Sequence, residues 1–148
     1  MQDQEKQMKT PWHLWAIGGV SLLWNAIGAM DFTATQLRIE SYLEAYTLEQ
    51  LDYFLSFPVW AETTWAVAVW FSVLGSVTLL LRLRLAAPIF WVALASRGAT
   101  AIYNFALSDP SMSEIAGTRA MIFSAVIFLV AIGLALYSSR MRTNGVLR

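Results

Sequence analysis

Four long apolar stretches alternate with shorter polar ones along this chain. Trp12–Met30, Val59–Leu81, Leu85–Leu107 and Ile115–Tyr137 each approach or exceed the ~20 predominantly apolar residues that cross a bilayer as a helix. Ala120–Ser139 carries no charge at all. The pattern predicts an all-α fold: a polytopic membrane protein whose four transmembrane helices form an antiparallel bundle. Little chain is left over, so residues 1–148 are expected to make one transmembrane domain with no separate soluble part.

The polar connections differ in character. Arg82-Leu83-Arg84 is very short and leads to Pro88, which suits the first turn of a helix because its missing N–H costs nothing there. The second and third helices are therefore expected to form a tight hairpin. The first connection, 31–57, is long and acidic, with Asp31, Glu40, Glu44, Glu49 and Asp52 against Arg38. Within it, Thr47-Leu48-Glu49-Gln50 matches a capping box, and Leu48, Leu51, Phe54 and Leu55 follow at helical spacing. Tyr42, Tyr46 and Tyr53 add aromatic surface. These features predict an extra amphipathic helix over the outer mouth of the bundle, or a solvated connector resting its apolar face on protein or lipid. The acids lack the spacing of an EF-hand loop. In Ser108-Asp109-Pro110-Ser111, Ser111 or Ser113 can cap the last helix, with Glu114 near its positive end.

Charge sets the orientation. Lys and Arg gather on the cytoplasmic side of membrane proteins. Lys6, Lys9, Arg82, Arg84, Arg140, Arg142 and Arg148 fall on one side, and only Arg38 and Arg119 on the other. Both termini are thus expected in the cytoplasm. Asp3 and Glu5 offset the positive head, and Trp24 and Asn25 interrupt the first apolar stretch, so that stretch reads as a helix that is kept rather than a signal peptide. Trp12, Trp15, Trp60 and Tyr137 suit the headgroup level, whereas Trp24, Trp70 and Trp91 lie deeper and are expected to pack between helices.

Composition agrees and narrows the chemistry. The chain is 57% hydrophobic and 14% charged, with zero formal net charge and mean hydropathy +0.54. No basic patch argues for nucleic acid. The absence of cysteine excludes a thiol relay, an iron–sulfur cluster and a thiolate zinc site. One histidine excludes a multi-histidine metal site within the chain, and no metal or other cofactor is expected.

The candidate chemistry lies in the apolar stretches. Arg97 sits midway along the third, where a charge is costly by ~2.5–3.5 kcal/mol on insertion scales and marks a partner or a role. Helical spacing puts Phe90, Ala93, Ala101, Asn104 and Ser108 on its face, with Thr100 beside it. Gly18, Ser21, Asn25 and Ala29 share a face of the first helix, Glu62 shares one with Ala66 and Val69, and Arg119 one with Phe123 and Val126. Arg97, Glu62, Asn25, Asn104 and Arg119 thereby fall in the outer half of the bundle. They form either an ion-paired cluster, Glu62 with Arg97 or Arg119, or an outward-facing polar site. In the second case Arg97 offers a fork of donors, the asparagines bond hydroxyls, and Glu62 balances charge or carries a proton. Thr64, Ala68, Ser72 and Ser76, with Gly75 alongside, form a small-residue stripe suited to close helix approach.

Several strings carry a resemblance: Pro11-Trp12-His13-Leu14-Trp15, Ser21-Leu22-Leu23-Trp24-Asn25-Ala26-Ile27-Gly28-Ala29-Met30-Asp31, Phe57-Pro58-Val59-Trp60 and Ile102-Tyr103-Asn104-Phe105. From Pro11 to about Asp109 the chain resembles a family of small, uncharacterised four-helix inner-membrane proteins of proteobacteria, some loosely labelled "sugar transporter". The resemblance implies the bacterial cytoplasmic membrane and a transport role, and assigns no functional residues. The chain lacks the acidic first-helix residue of small multidrug transporters and the Glu-Arg motif of membrane glutathione transferases. The leading expectation is a non-enzymatic membrane protein, oligomeric in use, that binds or moves a small polar solute. The rival is an accessory or scaffold protein that docks a partner through the acidic external segment.

Overall fold

The computed structural model describes residues 9–148, so Asp3, Glu5 and Lys6 lie outside the described residues. The described residues form six helices and no strand: α1 (Trp12–Gln36), α2 (Glu40–Leu43), α3 (Leu48–Leu55), α4 (Val59–Leu80), α5 (Ala86–Ile102) and α6 (Met112–Thr143). A π-helical turn, Tyr103–Leu107, continues α5. The all-helical class is as expected. α4 and α6 are long and apolar enough to cross a membrane. α5 stops at 17 residues before its π turn, and α1 carries Asn25, Asp31 and two threonines within its length.

Helix limits differ from the apolar stretches for local reasons. α1 continues past Met30 because the hydroxyls of Thr33 and Thr35 bond back to the carbonyls of Ala29 and Asp31. It stops where Ile39 N–H bonds Ala34 O and Arg38 N–H bonds Thr35 O, with Arg38 at φ 53°. That is a Schellman stop, with arginine in the left-handed position glycine usually takes. Asp31 is therefore a helix residue, not part of a loop. α4 ends the same way at Arg82 (φ 60°), and α6 at Gly145 (φ 72°), where Val146 N–H reaches Met141 O. α6 also extends beyond 115–137 at both ends, and Gly117 breaks it near its start with φ 70° and ψ −173°.

α1 packs along α4, α4 along α5, and α5 along α6. Glycine sets two of these approaches. A Cβ on Gly18 would lie 2.6 Å from Leu80 Cδ2, and one on Gly75 would lie 2.8 Å from Phe90 Cε1. A core of Leu14, Leu79, Phe90, Leu134 and Leu147 ties the long helices together at one end. There the C-terminal residues fold back: Arg148 and the α4–α5 connection exchange main-chain hydrogen bonds (Arg84 N to Arg148 O, 2.9 Å; Arg148 N to Arg82 O, 2.7 Å), and Leu147 is fully buried. This is the tail end of the bundle.

The opposite, cap end is covered by α2 and α3. The capping box of α3 forms as expected: Gln50 N–H donates to Thr47 Oγ1, and Thr47 N–H to Gln50 Oε1. Tyr53 and Phe57 are buried with Ala61 against Trp65, Tyr103 and Ile115. The segment is thus docked through Tyr53, Phe54 and Phe57, while Leu48, expected on the same face, is exposed, as are Glu40, Glu44, Glu49 and Asp52.

Polarity is inverted relative to a water-soluble bundle. Ser21, Asn25, Ser72, Ser76, Thr78, Thr100 and Ser138 are buried, while Leu23, Ile27, Trp70, Trp91, Leu129 and Leu136 are exposed. Trp70 and Trp91 thereby correct the expectation that they pack between helices. Their ring surfaces face outward at 50% and 45% exposure, with Trp91 Nε1 donating to Ser139 Oγ at 2.9 Å. α6 is the extreme case: its most apolar stretch has mean hydropathy 2.5 and is only 11% buried.

Candidate functional site

The five residues marked in the sequence divide into four groups. Asn25 belongs to a polar clasp between α1 and α4. Its Nδ2 donates to Ser72 O at 3.2 Å and Ser76 Oγ at 3.0 Å, and Ser21 Oγ lies 3.1 Å from the same Ser76 oxygen. The small-residue stripe of α4 therefore finds its partner inside this chain. Asn104 serves the cap: its Oδ1 accepts from Tyr53 Oη at 2.9 Å, and Tyr53 also meets Ser108 Oγ at 3.1 Å. Burial and the nearby Tyr103 push the Tyr53 phenol up from its ordinary value despite the opposing bond to Ser108, so Tyr53 remains a donor.

Glu62 and Arg119 do not join the site. Glu62 is half-buried in the first turn of α4, and Arg119 is exposed just beyond the Gly117 break. Neither lines the cavities around Arg97. The expected ion pair of Glu62 with Arg97 or Arg119 is not formed among the described residues. Sharing a depth along a bundle leaves the angle around each helix open, and here the angles differ.

Arg97 stands apart. Its Nε is buried without a hydrogen-bond partner among the described residues. The residue lines two large cavities near the cap half of the bundle, besides a small one of about 10 Å³. One, of about 550 Å³, is bordered by Thr100, Asn104 and Ser124. The other, of about 380 Å³, is bordered by Asn25, Asp31, Tyr42 and Tyr46. Trp65 and Ile127 border both. The two large volumes fall in the usual range of ~300–1,000 Å³ for small-molecule sites.

The second cavity contains a group that the sequence did not single out. Tyr42 and Tyr46 both donate their hydroxyls to Asp31 Oδ1, Tyr46 at 2.9 Å. Asp31 Oδ2 accepts no bond from a described residue. Burial, then bonding to Asp31, raises the Tyr42 phenol above its ordinary value. Burial, then bonding to Tyr42 and the Asp31 charge, raises Tyr46 further, so both hydroxyls stay protonated donors. The i, i+4 spacing of the two tyrosines was the available signal, but their common target depends on the turn through α2. No protein family, curated protein or solved structure matches the chain.

Proposed function

We propose that this chain is a four-helix protein of the bacterial cytoplasmic membrane that binds a small polar solute at Arg97 and, as an oligomer, carries it across. In this reading α1 and α5 span with α4 and α6, the tail end and both termini face the cytoplasm, and the cap faces outward. The inverted polarity supports embedding, because water-soluble monomers rarely expose apolar patches beyond a few hundred Å². Arg82, Arg84, Arg140 and Arg142 at the tail end support the orientation. Placement in the small four-helix inner-membrane family rests on the strings quoted above. The outward face of α6 is where a second copy would pack.

The observation that carries the reading is the orphaned Nε of Arg97 beside two cavities. An arginine serving only to join helices satisfies its donors on protein atoms, whereas no described residue bonds the buried Nε of this one, and its side chain lines cavities of small-molecule size. Uptake of labelled glucuronate and of glucose into proteoliposomes tests it, one probe bearing the carboxylate that arginine favours and the other only hydroxyls. Wild type should accumulate at least one of them, and Arg97→Gln should not, while inserting normally. Equal uptake by the variant would remove Arg97 from the mechanism.

One observation favours a second reading, an accessory protein that docks a partner. Glu40, Glu44, Glu49 and Asp52 are exposed, while Tyr53, Phe54 and Phe57 of their segment are spent on the bundle. Reversing all four charges should then abolish co-purification of a basic partner without altering uptake.

A further inference from the structure

Arg97 and Asp31 line the same cavity of about 380 Å³, on α5 and α1 respectively. One presents a cation with an unpartnered donor, the other a carboxylate with one oxygen free of described partners. Five aromatic side chains, Trp24, Tyr42, Tyr46, Trp65 and Phe123, line the space with them. Aromatic faces attract alkylated ammonium groups, and a carboxylate nearby supplies the countercharge. The tyrosine hydroxyls are engaged by Asp31, which anchors both rings at the cavity wall. The guanidinium is a fork for phosphate or carboxylate. A neutral sugar would use neither charge. A simple anion would use Arg97 alone and meet Asp31 as repulsion.

From this we infer that the cavity is a zwitterion site: an anionic phosphate or carboxylate on Arg97 and an ammonium group held by Asp31 and the surrounding aromatic rings. The inference rests on the proposal that Arg97 binds a ligand, and narrows that ligand's class. Two sources carry this chemistry, a free solute and a lipid headgroup. The second arises because Trp24 also borders a groove of about 570 Å³ between α1 and α6, lined by apolar surface from Ile17, Val20, Val130, Gly133 and Leu134. From Asp31 to Ala16, the helix residue farthest down that groove, the rise is ~22 Å. That is about the depth of one bilayer leaflet with its headgroups.

Calorimetry on delipidated protein in detergent tests the inference with phosphocholine, choline and glycerol phosphate as probes. Phosphocholine should bind about tenfold or more tightly than either single-charge probe, since each charged contact is worth that much. Asp31→Asn keeps an acceptor for both tyrosines, so the cap should remain folded. It should erase the preference for phosphocholine, weakening that probe while glycerol phosphate, freed of the Asp31 repulsion, binds as tightly as to wild type or more so. If phosphocholine and glycerol phosphate bind wild type equally and Asp31→Asn is silent, the zwitterion inference is overturned but the Arg97 site stands. If Arg97→Gln binds every probe as wild type does, the Arg97 site itself fails. Lysophosphatidylcholine separates the sources. A side chain at Gly133 meets nothing within 4 Å, so Gly133→Leu should fill the groove without disturbing the fold. Loss of lysolipid binding with phosphocholine binding intact identifies a lipid headgroup, and equal binding of both probes to both proteins identifies a free zwitterion. Each of these supports the site.

Discussion

Replacing Arg97 by methionine should stabilise the ligand-free protein. Methionine keeps an unbranched side chain of similar reach, so the packing of the stem survives. What disappears is one buried N–H with no partner among the described residues, and an unsatisfied buried donor costs about 1–3 kcal/mol. For a chain of this size each kcal/mol moves the midpoint by about 2–4 °C, so the variant should melt about 2–12 °C above wild type. Had Glu62 and Arg97 formed a buried pair, removing either would strand the other and cost about 3–5 kcal/mol. Arg97→Met and Glu62→Gln therefore report on opposite accounts of the same residue. Thermal unfolding of delipidated protein in detergent, followed by tryptophan fluorescence, gives the answer. A fall in midpoint for Arg97→Met would show that the guanidinium is satisfied by protein atoms and would refute the reasoning. A fall for Glu62→Gln would restore the ion pair. With ligand added the order should reverse, because only wild type gains from binding.

Gly75→Ala should cost about 1–3 kcal/mol by driving a Cβ into the buried Phe90 ring. Gly133→Ala, which meets nothing, serves as the control, and the two melting curves should separate. Tyr53→Phe removes the hydroxyl shared by Asn104 and Ser108 and should cost about 0.6–1.7 kcal/mol. Faster hydrogen exchange in Leu48–Leu55, with α4 unchanged, is the expected signature. Tyr42 and Tyr46 hold their protons more tightly folded than unfolded. Their contribution to cap stability is therefore complete below their ordinary value of 10.0 and lost as pH rises through the raised folded values. Phenolate absorbance should appear together with loss of cap structure; phenolates forming at the ordinary value in a folded cap would contradict this.

Features with a local cause were legible in the sequence. The α3 capping box needs only Thr47 and Gln50, and the buried face of α1 follows from the spacing of Gly18, Ser21, Asn25 and Ala29. What was illegible needed tertiary information. Thr33 and Thr35 carry α1 past the apolar stretch, and only then does Asp31 stand on a helix facing two tyrosines of the cap. Trp70 and Trp91 were misplaced because an apolar exterior gives aromatic rings no reason to turn inward. Asn25 and Asn104 were found as polar residues in the right half, yet the partners that occupy them sit on helices whose rotation no periodicity fixes.

The contrast between Asn25 and Arg97 bears on what the cavity is for. Asn25 lies where Gly18, Ser21, Ser72, Gly75 and Ser76 let α1, α4 and α5 close together, and its amide donates twice to α4. Beside it, Trp24, Trp65 and Phe123 line the space that Arg97 borders. Asparagine supplies the interhelical bonds at small cost to helix spacing. An arginine adds nothing to that clasp, and its buried Nε has no partner among the described residues. In the proposed function a bound anion offsets the cost of that unsatisfied donor. The destabilising charge and the ligand are then two aspects of one residue, and the sign of the Arg97→Met shift with and without phosphocholine measures both.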